Sequence, residues 1–542
     1  SWRESSFDVL LILLVFLISA AWPVPDVNEP HYLCKAKHYW NPEWCANDFF
    51  LASADAHLVF YWTAGWLTRW LSLPAVAWVG RLVSWTFLAW SWRRLSYSLV
   101  PRPLYAALSA ALWVTLMTWF HLAGEWVVGG FEAKGIAFGF ILLGIEAVVR
   151  GRWNRAWLLM GIATAFHVLV GGWSLLLVGW VWLTAGRDRP SIPAMLPGLV
   201  AGLVASLPGL VPALLLTRGV DPDIVRQANH IYVFIRLPHH LALHTLKAAE
   251  LTERITRFAP QVLLFVGLCY VLPATPARRR LWQFVFGALL IAWLGLCISL
   301  ATWNHPDLAA GILRYYWYRM ADVALPTGIA LSVVAGIASR FPSRGDFSAA
   351  TGKLPGKATT RHTQLAAWGL AVSLCFAGFF LGKTVTLRHE DPRPRADRKT
   401  RDADAWRDAC AWIAENTPED ALFLIPRHAQ TFKWRAGRAE VANYKDVPQD
   451  ARSLVEWWQR IDALYRFDSD EGQRKYRRTL AQQGDQRLKE LAARYGARYL
   501  VTERKPPLGF KMLYDNRRYV VYRIPLALDP QEQAGTVHAV ED

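Results

Sequence analysis

Carboxylate and imidazole side chains concentrate in a few loops of this chain, and the first of them spans residues 23–74. It carries three carboxylates suited to accept a proton, Asp26, Glu29 and Asp48, and a candidate substrate contact, His57. Ionisable groups are expensive to retain at a membrane boundary, so their concentration there favours a functional site. Ordinary solvated loop surface remains the alternative for any single residue. A carboxylate beside cations could carry out general-base chemistry on a hydroxyl group.

A second loop supplies Glu132 and Lys134 at the beginning of an apolar segment, directly after Gly129 and Gly130. Glycine allows backbones to approach closely, so these charges could be held against a substrate. The alternative is a Glu–Lys surface pair of little energetic weight.

Arg314 and Arg319 flank an aromatic run that begins at Tyr315, just before another apolar segment. Guanidinium groups bind phosphate through two parallel hydrogen bonds, and Tyr and Trp favour the headgroup level of a membrane. The sequence therefore predicts that these three residues bind a lipid phosphate. The alternative is an interfacial aromatic belt with arginines reaching towards water.

Cys34 and Cys45 lie in the first loop, which is an oxidising setting if that loop faces the periplasm. We expect a disulfide between them, contributing about 3 kcal/mol. A metal site that adds His31 and His38 is the alternative, but it lacks a recognised ligand spacing.

The composition of the 542 residues is that of a membrane protein. Hydrophobic residues make up 53% of the chain, charged residues 19%, and there are 29 Trp. These values exclude disordered and collagen-like chains, and they make nucleic acid a poor explanation of the net charge of +17. No phosphate-binding loop, nucleophile elbow or zinc-protease motif is present.

Spanning the hydrocarbon layer takes about 20 mostly apolar residues. About eleven segments qualify or nearly so: 7–22, 75–92, 104–120, 135–149, 154–170, 172–186, 194–216, 260–273, 281–301, 320–339 and 364–382. The first segment lacks a small-residue cleavage site and is expected to be an uncleaved span. Residues 55–73 are expected to form an amphipathic helix in the outer interface.

Arginine and lysine in short loops set the orientation. They cluster in alternate loops, including Arg93, Arg94, Arg150, Arg152, Arg155, Arg187, Arg189, Arg278, Arg279, Arg280, Arg340, Arg344 and Lys353. These loops are predicted to be cytoplasmic, as is the N-terminus. The sequence thus predicts a multi-pass protein of the bacterial inner membrane, with the acid-rich loops and the tail in the periplasm.

Three regions follow from this pattern: a transmembrane domain at 1–382, a charged linker at 383–400 and a soluble α/β domain at 401–542. In the last region we expect helices at 405–416, 451–465 and 470–494 and strands at 421–426, 497–503 and 518–524.

This pattern resembles the GT-C superfamily of polytopic glycosyltransferases, which use sugars linked to polyprenyl phosphates. The resemblance is carried by the acidic run 26–32 after the first span, Arg81 at the entry of the next span, Arg314-Tyr315 ahead of Leu325-Pro326, and the stretch 406–421, similar to the start of outer domains in several members. The runs 28–32 and 130–135 also resemble an uncharacterised bacterial membrane family of this kind.

The resemblance implies that a carboxylate accepts the proton of an acceptor hydroxyl while cations hold the departing lipid phosphate. The superfamily's common motif has Asp where this chain has Asn28, so Glu29, Asp48 or Asp26 would be the base, or the base is absent. Arg314 and Arg319 become the phosphate ligands, with Lys134 in reserve, and a bridging divalent ion is left open.

Three functions compete. The leading hypothesis is a transferase moving a sugar from a polyprenyl-phosphate donor to an acceptor hydroxyl. The second is a non-catalytic subunit docking to a protein partner through the C-terminal domain, for which Trp457 and Trp458 would be exposed anchors. The third is a transporter of a lipid-linked substrate, which predicts charges along a path through the spans.

Overall fold

The computed structural model describes residues 2–340, 357–468 and 474–525, in a helical membrane region followed by a domain that contains β-sheet. Eleven long helices form the membrane region: α1 Trp2–Ala20, α5 Leu73–Leu99, α6 Tyr105–Trp119, α7 Ala133–Val149, α8 Trp153–Phe166, α9 Val168–Thr184, α10 Ile192–Leu215, α13 Ala248–Val271, α14 Pro276–Ala301, α16 Arg319–Ala338 and α17 Lys357–Glu390. Shorter helices connect them: α2 Glu29–Trp40, α3 Phe49–Ala52, α4 Leu58–Thr63, α11 Pro222–His230, α12 Pro238–Leu241 and α15 Pro306–Leu313.

Ten of the apolar segments expected to span the membrane lie mainly on one long helix each, whereas 154–170 runs from α8 into α9 across His167. Five helices are long and apolar enough to cross a membrane by length and composition: α10, α13, α14, α16 and the part of α17 from His362 to Glu390. The number of eleven spans stays a prediction. The largest differences in boundary are at α13, which begins at Ala248, and at α17, which continues to Glu390, into the predicted linker.

Several arginines predicted to be cytoplasmic meet at one end of the bundle. Arg94 and Arg150 both pair with Glu146, at 3.3 and 2.7 Å, and Arg93 lies 3.4 Å from Asp8. The acid-rich loops and the C-terminal domain contact one another elsewhere, and we call their side the loop face. Arg344 and Lys353 lie outside the described residues.

Close packing of α8 on α10 depends on glycine. A Cβ atom at Gly161 would lie 2.1 Å from the carbonyl oxygen of Gly202, and one at Gly202 would lie 2.5 Å from the carbonyl oxygen of Trp157. Helices meet this closely in membranes where small residues let the backbones touch.

The first loop folds into the helices α2, α3 and α4, whereas only one helix, at 55–73, was predicted. Pro30 and Glu29 occupy the first turn of α2, where proline and acids favour helix initiation. The predicted helix at 55–73 is instead the short α4 followed by a 3-10 turn, Gly65–Arg69. Trp62, Trp66 and Trp70 remain exposed there, which fits a position in the membrane interface.

The C-terminal domain combines four helices, α18 Ala403–Asn416, α19 Phe432–Ala436, α20 Ala451–Tyr465 and α21 Asp485–Tyr495, with strands β1 Leu422–Leu424, β2 Ala439–Glu440, β3 Arg466–Asp468, β4 Arg474–Tyr476, β5 Tyr499–Glu503, β6 Lys511–Asp515 and β7 Tyr519–Arg523. Five strands form a sheet in the order β2-β1-β5-β7-β6, in which β1 pairs in parallel with β2 and β5. The strand β7 pairs antiparallel with β5 and β6.

Two expectations for this domain are wrong, and one falls partly beyond the described residues. The segment 470–494 is not one helix: it contains β4, a 3-10 turn and α21. Trp457 and Trp458 are buried in the domain core, and the indole of Trp457 donates to the Asn443 carbonyl at 2.9 Å. They are therefore not exposed anchors. Residues 526–542 of the predicted domain lie outside the described residues.

Candidate functional site

The first and second loops meet on the loop face through direct hydrogen bonds. The Phe131 N–H donates to Glu29 Oε1 at 2.8 Å, and Asn28 Nδ2 donates to Glu132 Oε2 at 2.9 Å. A Cβ atom at Gly130 would lie 2.8 Å from the Asp26 Cβ. The glycine-mediated approach expected of this loop therefore occurs, against the first loop.

Glu29, the first candidate for the base, is held in a buried ion pair. Arg81 Nε and Nη2 donate to its two carboxylate oxygens at 2.6 and 2.7 Å, and neither side chain has any exposed surface. The Asp26 N–H donates to the same carboxylate at 2.7 Å. A general base must reach the proton it takes, and these donors already occupy the carboxylate. The geometry favours a structural role for Glu29.

Asp26 and Asp48 join the membrane region to the C-terminal half of the chain. Arg395 donates to both carboxylate oxygens of Asp26, from Nε at 2.6 Å. Burial alone would raise the pKa of Asp26, but Arg395 outweighs it and the pKa is lowered, so the group is an anion. Asp48 caps α3 by accepting from the Leu51 N–H at 2.9 Å, and it also accepts from the Glu440 N–H at 3.1 Å.

One buried lysine forms ion pairs with three carboxylates, one of which is Asp48. Lys433 Nζ lies 3.3 Å from Asp48, 2.6 Å from Glu440 and 2.9 Å from Asp446. Burial raises the pKa of Glu440 to about 8, Lys433 opposes the rise, and the neighbouring Asp48 and Asp446 add to it. Glu440 is therefore mostly protonated at neutral pH. His31 contacts the same group, at 3.3 Å from Asp446.

Glu132, Lys134 and Arg319 form a second set of charges with Glu125. Lys134 Nζ donates to Glu125 Oε1 at 2.7 Å and lies 3.8 Å from Glu132, while Arg319 Nε pairs with the other oxygen of Glu125. Lys134 also lies 3.5 Å from the ring centre of Trp126, whose indole donates to Glu132 at 3.0 Å. Apart from the more distant Lys134, the contacts of Glu132 are with neutral donors.

Asp322 at the start of α16 positions the loop that carries Glu125. Its carboxylate accepts from the backbone N–H groups of Leu122, Ala123 and Glu125, at 2.6, 2.8 and 3.1 Å. The sequence offers no signal for this role, because the partners lie about 200 residues apart.

His57 forms a chain of polar contacts with Asp55 and Tyr32. Asp55 Oδ1 accepts from His57 Nδ1 at 2.8 Å, and His57 Nε2 lies 3.4 Å from the Tyr32 hydroxyl. Tyr61 donates to the other oxygen of Asp55 at 2.8 Å. Burial alone would raise the pKa of Asp55, but Lys35 and His57 lower it well below its usual range, so Asp55 is an anion that orients the imidazole.

Both sets of residues act electrostatically on Tyr32, which contacts His57 directly. Burial raises the pKa of its hydroxyl, and among nearby charges Glu132 and Asp55 raise it further while Arg319 lowers it. All three charges therefore lie close enough to Tyr32 to act on it. We call Tyr32, His57, Glu132, Lys134 and Arg319 the central cluster.

Arg314 and Tyr315 stand apart from the central cluster. Arg314 Nη1 donates to Asn229 Oδ1 at 2.5 Å, its guanidinium lies 5.7 Å from the Tyr315 ring centre, and the Tyr315 residue is 48% exposed. The predicted meeting of Glu29 and Asp48 with Arg314 is therefore not found, because each makes its contacts elsewhere. Arg319, the second predicted phosphate ligand, pairs instead with Glu125 and lies 3.7 Å from the ring centre of Tyr316.

The expected disulfide is absent: Cys34 and Cys45 are free thiols, both buried in one apolar cluster with Leu33 and Phe50. Burial raises the pKa of both thiols, which keeps them protonated and unreactive. Across the described ranges, no group of three or more His, Cys, Asp or Glu side chains is placed to hold a metal ion.

Sequence reasoning placed His57, Glu132, Lys134 and Arg319 among substrate contacts. The structure connects Glu132, Lys134 and Arg319 through Lys134 and Glu125, whereas His57 contacts Asp55 and Tyr32. Sequence reasoning missed Tyr32, which lies in the run that carries the superfamily resemblance. A signal existed, because a tyrosine three residues after Glu29 shares a helical face with it.

The comparisons with known proteins can be set beside this geometry. A model of a domain of unknown function, DUF6798, matches residues 404–464. No curated protein matches the chain. The oligosaccharyltransferase of Archaeoglobus fulgidus in its apo form is 13% identical, with a TM-score of 0.47 over 93% of this chain and 69% of that one.

Two further solved structures are similar. AglB of the same organism, in complex with an inhibitory peptide and a dolichol-phosphate, is 13% identical, with a TM-score of 0.45 over 92% of this chain and 70% of that one. ArnT of Cupriavidus metallidurans is 14% identical, with a TM-score of 0.49 over 96% of this chain and 97% of that one. AglB and ArnT are GT-C membrane glycosyltransferases, the superfamily that the motifs resemble.

Proposed function

We propose that this protein is a membrane glycosyltransferase that moves a sugar from a polyprenyl-phosphate donor to an acceptor hydroxyl at the loop face. The observation that carries the proposal is the central cluster, where the Glu132 carboxylate, held mainly by neutral donors, lies beside Lys134 and near Arg319. Its charges would meet the two demands of the reaction, removal of a proton and stabilisation of a leaving phosphate.

Glu132 is the proton acceptor in this proposal. The resemblance implies an acid where Asn28 stands, and Asn28 Nδ2 holds the Glu132 carboxylate at 2.9 Å. A carboxylate from the second loop thus lies next to the position where the first loop lacks one. Glu29 and Asp26, by contrast, are each paired with an arginine through both oxygens.

Arg319 and Lys134 hold the donor phosphate. Arg319 Nε forms an ion pair with Glu125 but no well-oriented hydrogen bond, and among the described residues no hydrogen bond from the terminal nitrogens of Arg319 is found. A guanidinium edge of this kind binds phosphate oxygens in pairs. Glu125 offsets part of the positive charge and fixes both cations, so they need little reorganisation when the phosphate departs.

The reaction balances with these groups. The acceptor oxygen forms a bond to the anomeric carbon, and the bond from that carbon to the phosphate oxygen breaks. The electron pair leaves with the phosphate beside Arg319 and Lys134, and the hydroxyl proton passes to Glu132. Tyr32, oriented by His57, contributes a neutral hydroxyl that can bond to the sugar or the acceptor.

We place the protein in a bacterial inner membrane, with the loop face and the C-terminal domain in the periplasm. Support for this comes from the arginine-rich loops: those described in contact, such as Arg94 and Arg150 on Glu146, gather away from the central cluster. Acids and imidazoles gathered on one face suit one-sided transfer better than alternating access. A protein partner of the C-terminal domain remains a further expectation.

The test is transfer by purified protein in lipid nanodiscs, supplied with labelled polyprenyl-phosphate sugars and with membranes or glycans as acceptors. Glu132→Gln keeps the shape and, through its one amide oxygen, one of the two hydrogen bonds from Asn28 and Trp126, and we expect it to lower turnover about 10²–10⁴-fold. The matched control is Glu490→Gln, an exposed glutamate on α21, which should transfer like the wild type. Wild-type turnover in Glu132→Gln would remove Glu132 from the role of base.

A further inference from the structure

Four cationic side chains from three parts of the chain gather next to the C-terminal domain. Arg236 lies between α11 and α12, Lys399 precedes α18, and Arg427 and Lys445 belong to the domain itself. Arg236 Nε donates to the Tyr444 carbonyl at 3.1 Å, and the guanidinium groups of Arg236 and Arg427 lie 5.0 and 4.4 Å from the Tyr444 ring centre. We call these four cations the cationic cluster.

The charges of this cluster are not neutralised. Within the described part of the chain, none of the four forms an ion pair with a carboxylate, and the buried Nε of Arg427 has no hydrogen-bond partner. Asp446 acts on Lys445 from a distance, but it is already bound by Lys433 at 2.9 Å and contacts His31 at 3.3 Å.

Burial and the neighbouring cations both disfavour the charged forms of groups in this cluster. Burial and the charge of Arg236 lower the pKa of Lys445 to about 8. Burial and the charges of Arg427, Lys399 and Arg236 lower the pKa of the neighbouring His428 to about 4. Holding like charges together without counter-ions costs free energy, and a bound anion would recover it.

The cluster also lies near the proposed chemistry. The charge of Glu132 acts on Lys445, so the cationic cluster and the base belong to one neighbourhood. Three of the four cations come from beyond the last membrane helix. The donor phosphate, carried by a membrane lipid, is assigned to Lys134 and Arg319 at the ends of α7 and α16.

We propose that the cationic cluster binds a phosphate group of the acceptor, so that the substrate receiving the sugar is an anionic molecule held by Arg236, Lys399, Arg427 and Lys445. This inference rests on the proposed function, since it names the acceptor class for the same transfer. Two guanidinium groups and two ammonium groups match the several oxygens and the double charge of a phosphate.

The experiment uses the full chain in nanodiscs of neutral lipid, with inorganic pyrophosphate as the probe for the cluster and polyprenyl phosphate as the probe for the donor site. Isothermal titration should show pyrophosphate binding that weakens about tenfold in Arg427→Gln and in Lys445→Gln. Lys489→Gln, which removes an exposed charge on α21, is the matched control and should bind like the wild type. Polyprenyl phosphate should bind Arg427→Gln normally and Arg319→Gln weakly.

Three results would decide against the inference or separate it from the proposed function. Equal pyrophosphate binding by the wild type and both cluster variants would overturn the inference. Loss of polyprenyl-phosphate binding in Arg427→Gln would assign the cluster to the donor and overturn the acceptor assignment. Full transfer by Glu132→Gln, with pyrophosphate binding still dependent on Arg427, would overturn the proposed base and support the anion site.

Discussion

Replacing Glu29 by glutamine separates a structural role from a chemical one. The side chain of Glu29 and its partner Arg81 are fully buried, and two nitrogens of Arg81 donate to it at 2.6 and 2.7 Å. Glutamine removes the carboxylate bonded to Arg81 and leaves Asp26, which is already bound by Arg395, as a more remote anion acting on it. Arg81 would keep the Trp22 carbonyl at 2.6 Å and the face of Trp78 at 4.8 Å, neither of which neutralises it.

The magnitude follows from the burial of the pair. Removing one partner of a buried ion pair costs about 3–5 kcal/mol, because the other charge stays buried and unpaired. The Phe131 N–H, now donating to Glu29 at 2.8 Å, can still donate to the amide oxygen of glutamine. The amide nitrogen would face the Asp26 N–H and Arg81 Nη2, which now donate to the other oxygen at 2.7 Å and would lose their acceptor, so the loss lies near the upper end of that range. We expect Glu29→Gln to lower the free energy of unfolding by about 5 kcal/mol.

A double-mutant cycle isolates the charge. The variant Glu29→Gln with Arg81→Gln removes both charges and should recover about 2 kcal/mol relative to the sum of the single losses. The assay is reversible unfolding in mixed detergent and SDS micelles, followed by the fluorescence of the 29 tryptophans. A Glu29→Gln protein as stable as the wild type but unable to transfer sugar would refute this reasoning and return the base to Glu29.

Two further predictions concern titration and thiols. Because Glu440 has a pKa of about 8 in the folded protein and 4.5 ordinarily, the folded state binds a proton that the unfolded state has lost between these values. The difference in unfolding free energy between the wild type and Glu440→Gln should therefore fall as pH rises from 5 to 8, by at most about 1.4 kcal/mol per pH unit, measured by unfolding both proteins at each pH. The comparison removes the opposite contribution of partly buried histidines such as His239 and His428, whose pKa values of about 4 make stability rise with pH. Parallel pH profiles of the two proteins would count against the protonated Glu440. Cys34 and Cys45 should react with a maleimide only after denaturation, with or without reductant. If the mass of the unreduced protein were instead lower than that of the reduced protein by two hydrogen atoms, the two cysteines would form a disulfide.

The elements of the membrane region were predictable because hydrophobic length is a local property. The expected segments lie on helices. The segment 55–73 forms a short helix and a 3-10 turn instead of one helix, and its residues Trp62, Trp66 and Trp70 are exposed, as an interfacial position requires. In the C-terminal domain the helix at Ala451–Tyr465 was predicted residue for residue. The edge strand Lys511–Asp515 was missed, because its mostly exposed side chains lack the apolar alternation of a half-buried strand.

The sequence predicted several residues of the candidate site, but it did not predict which side chains form ion pairs with one another. Spacing identified Glu132, Lys134 and Arg319 as candidates, since each lies at the mouth of an apolar segment. The sequence could not show that Arg81 forms an ion pair with Glu29, because the two residues lie 52 positions apart in the chain. The same limit applies to Arg395, 369 residues from Asp26. Long-range ion pairs decide which carboxylates stay available for chemistry, and only the folded chain reveals them.

The most direct test of the central claim is a cryo-electron microscopy structure of the protein with a polyprenyl-phosphate sugar in nanodiscs, using Glu132→Gln to slow turnover. We predict phosphate density within hydrogen-bonding distance of Arg319 and Lys134, and the anomeric carbon facing the side chain at position 132. Phosphate density at Arg314 with no contact to Arg319 or Lys134, or a donor bound on the opposite end near Glu146, would contradict it.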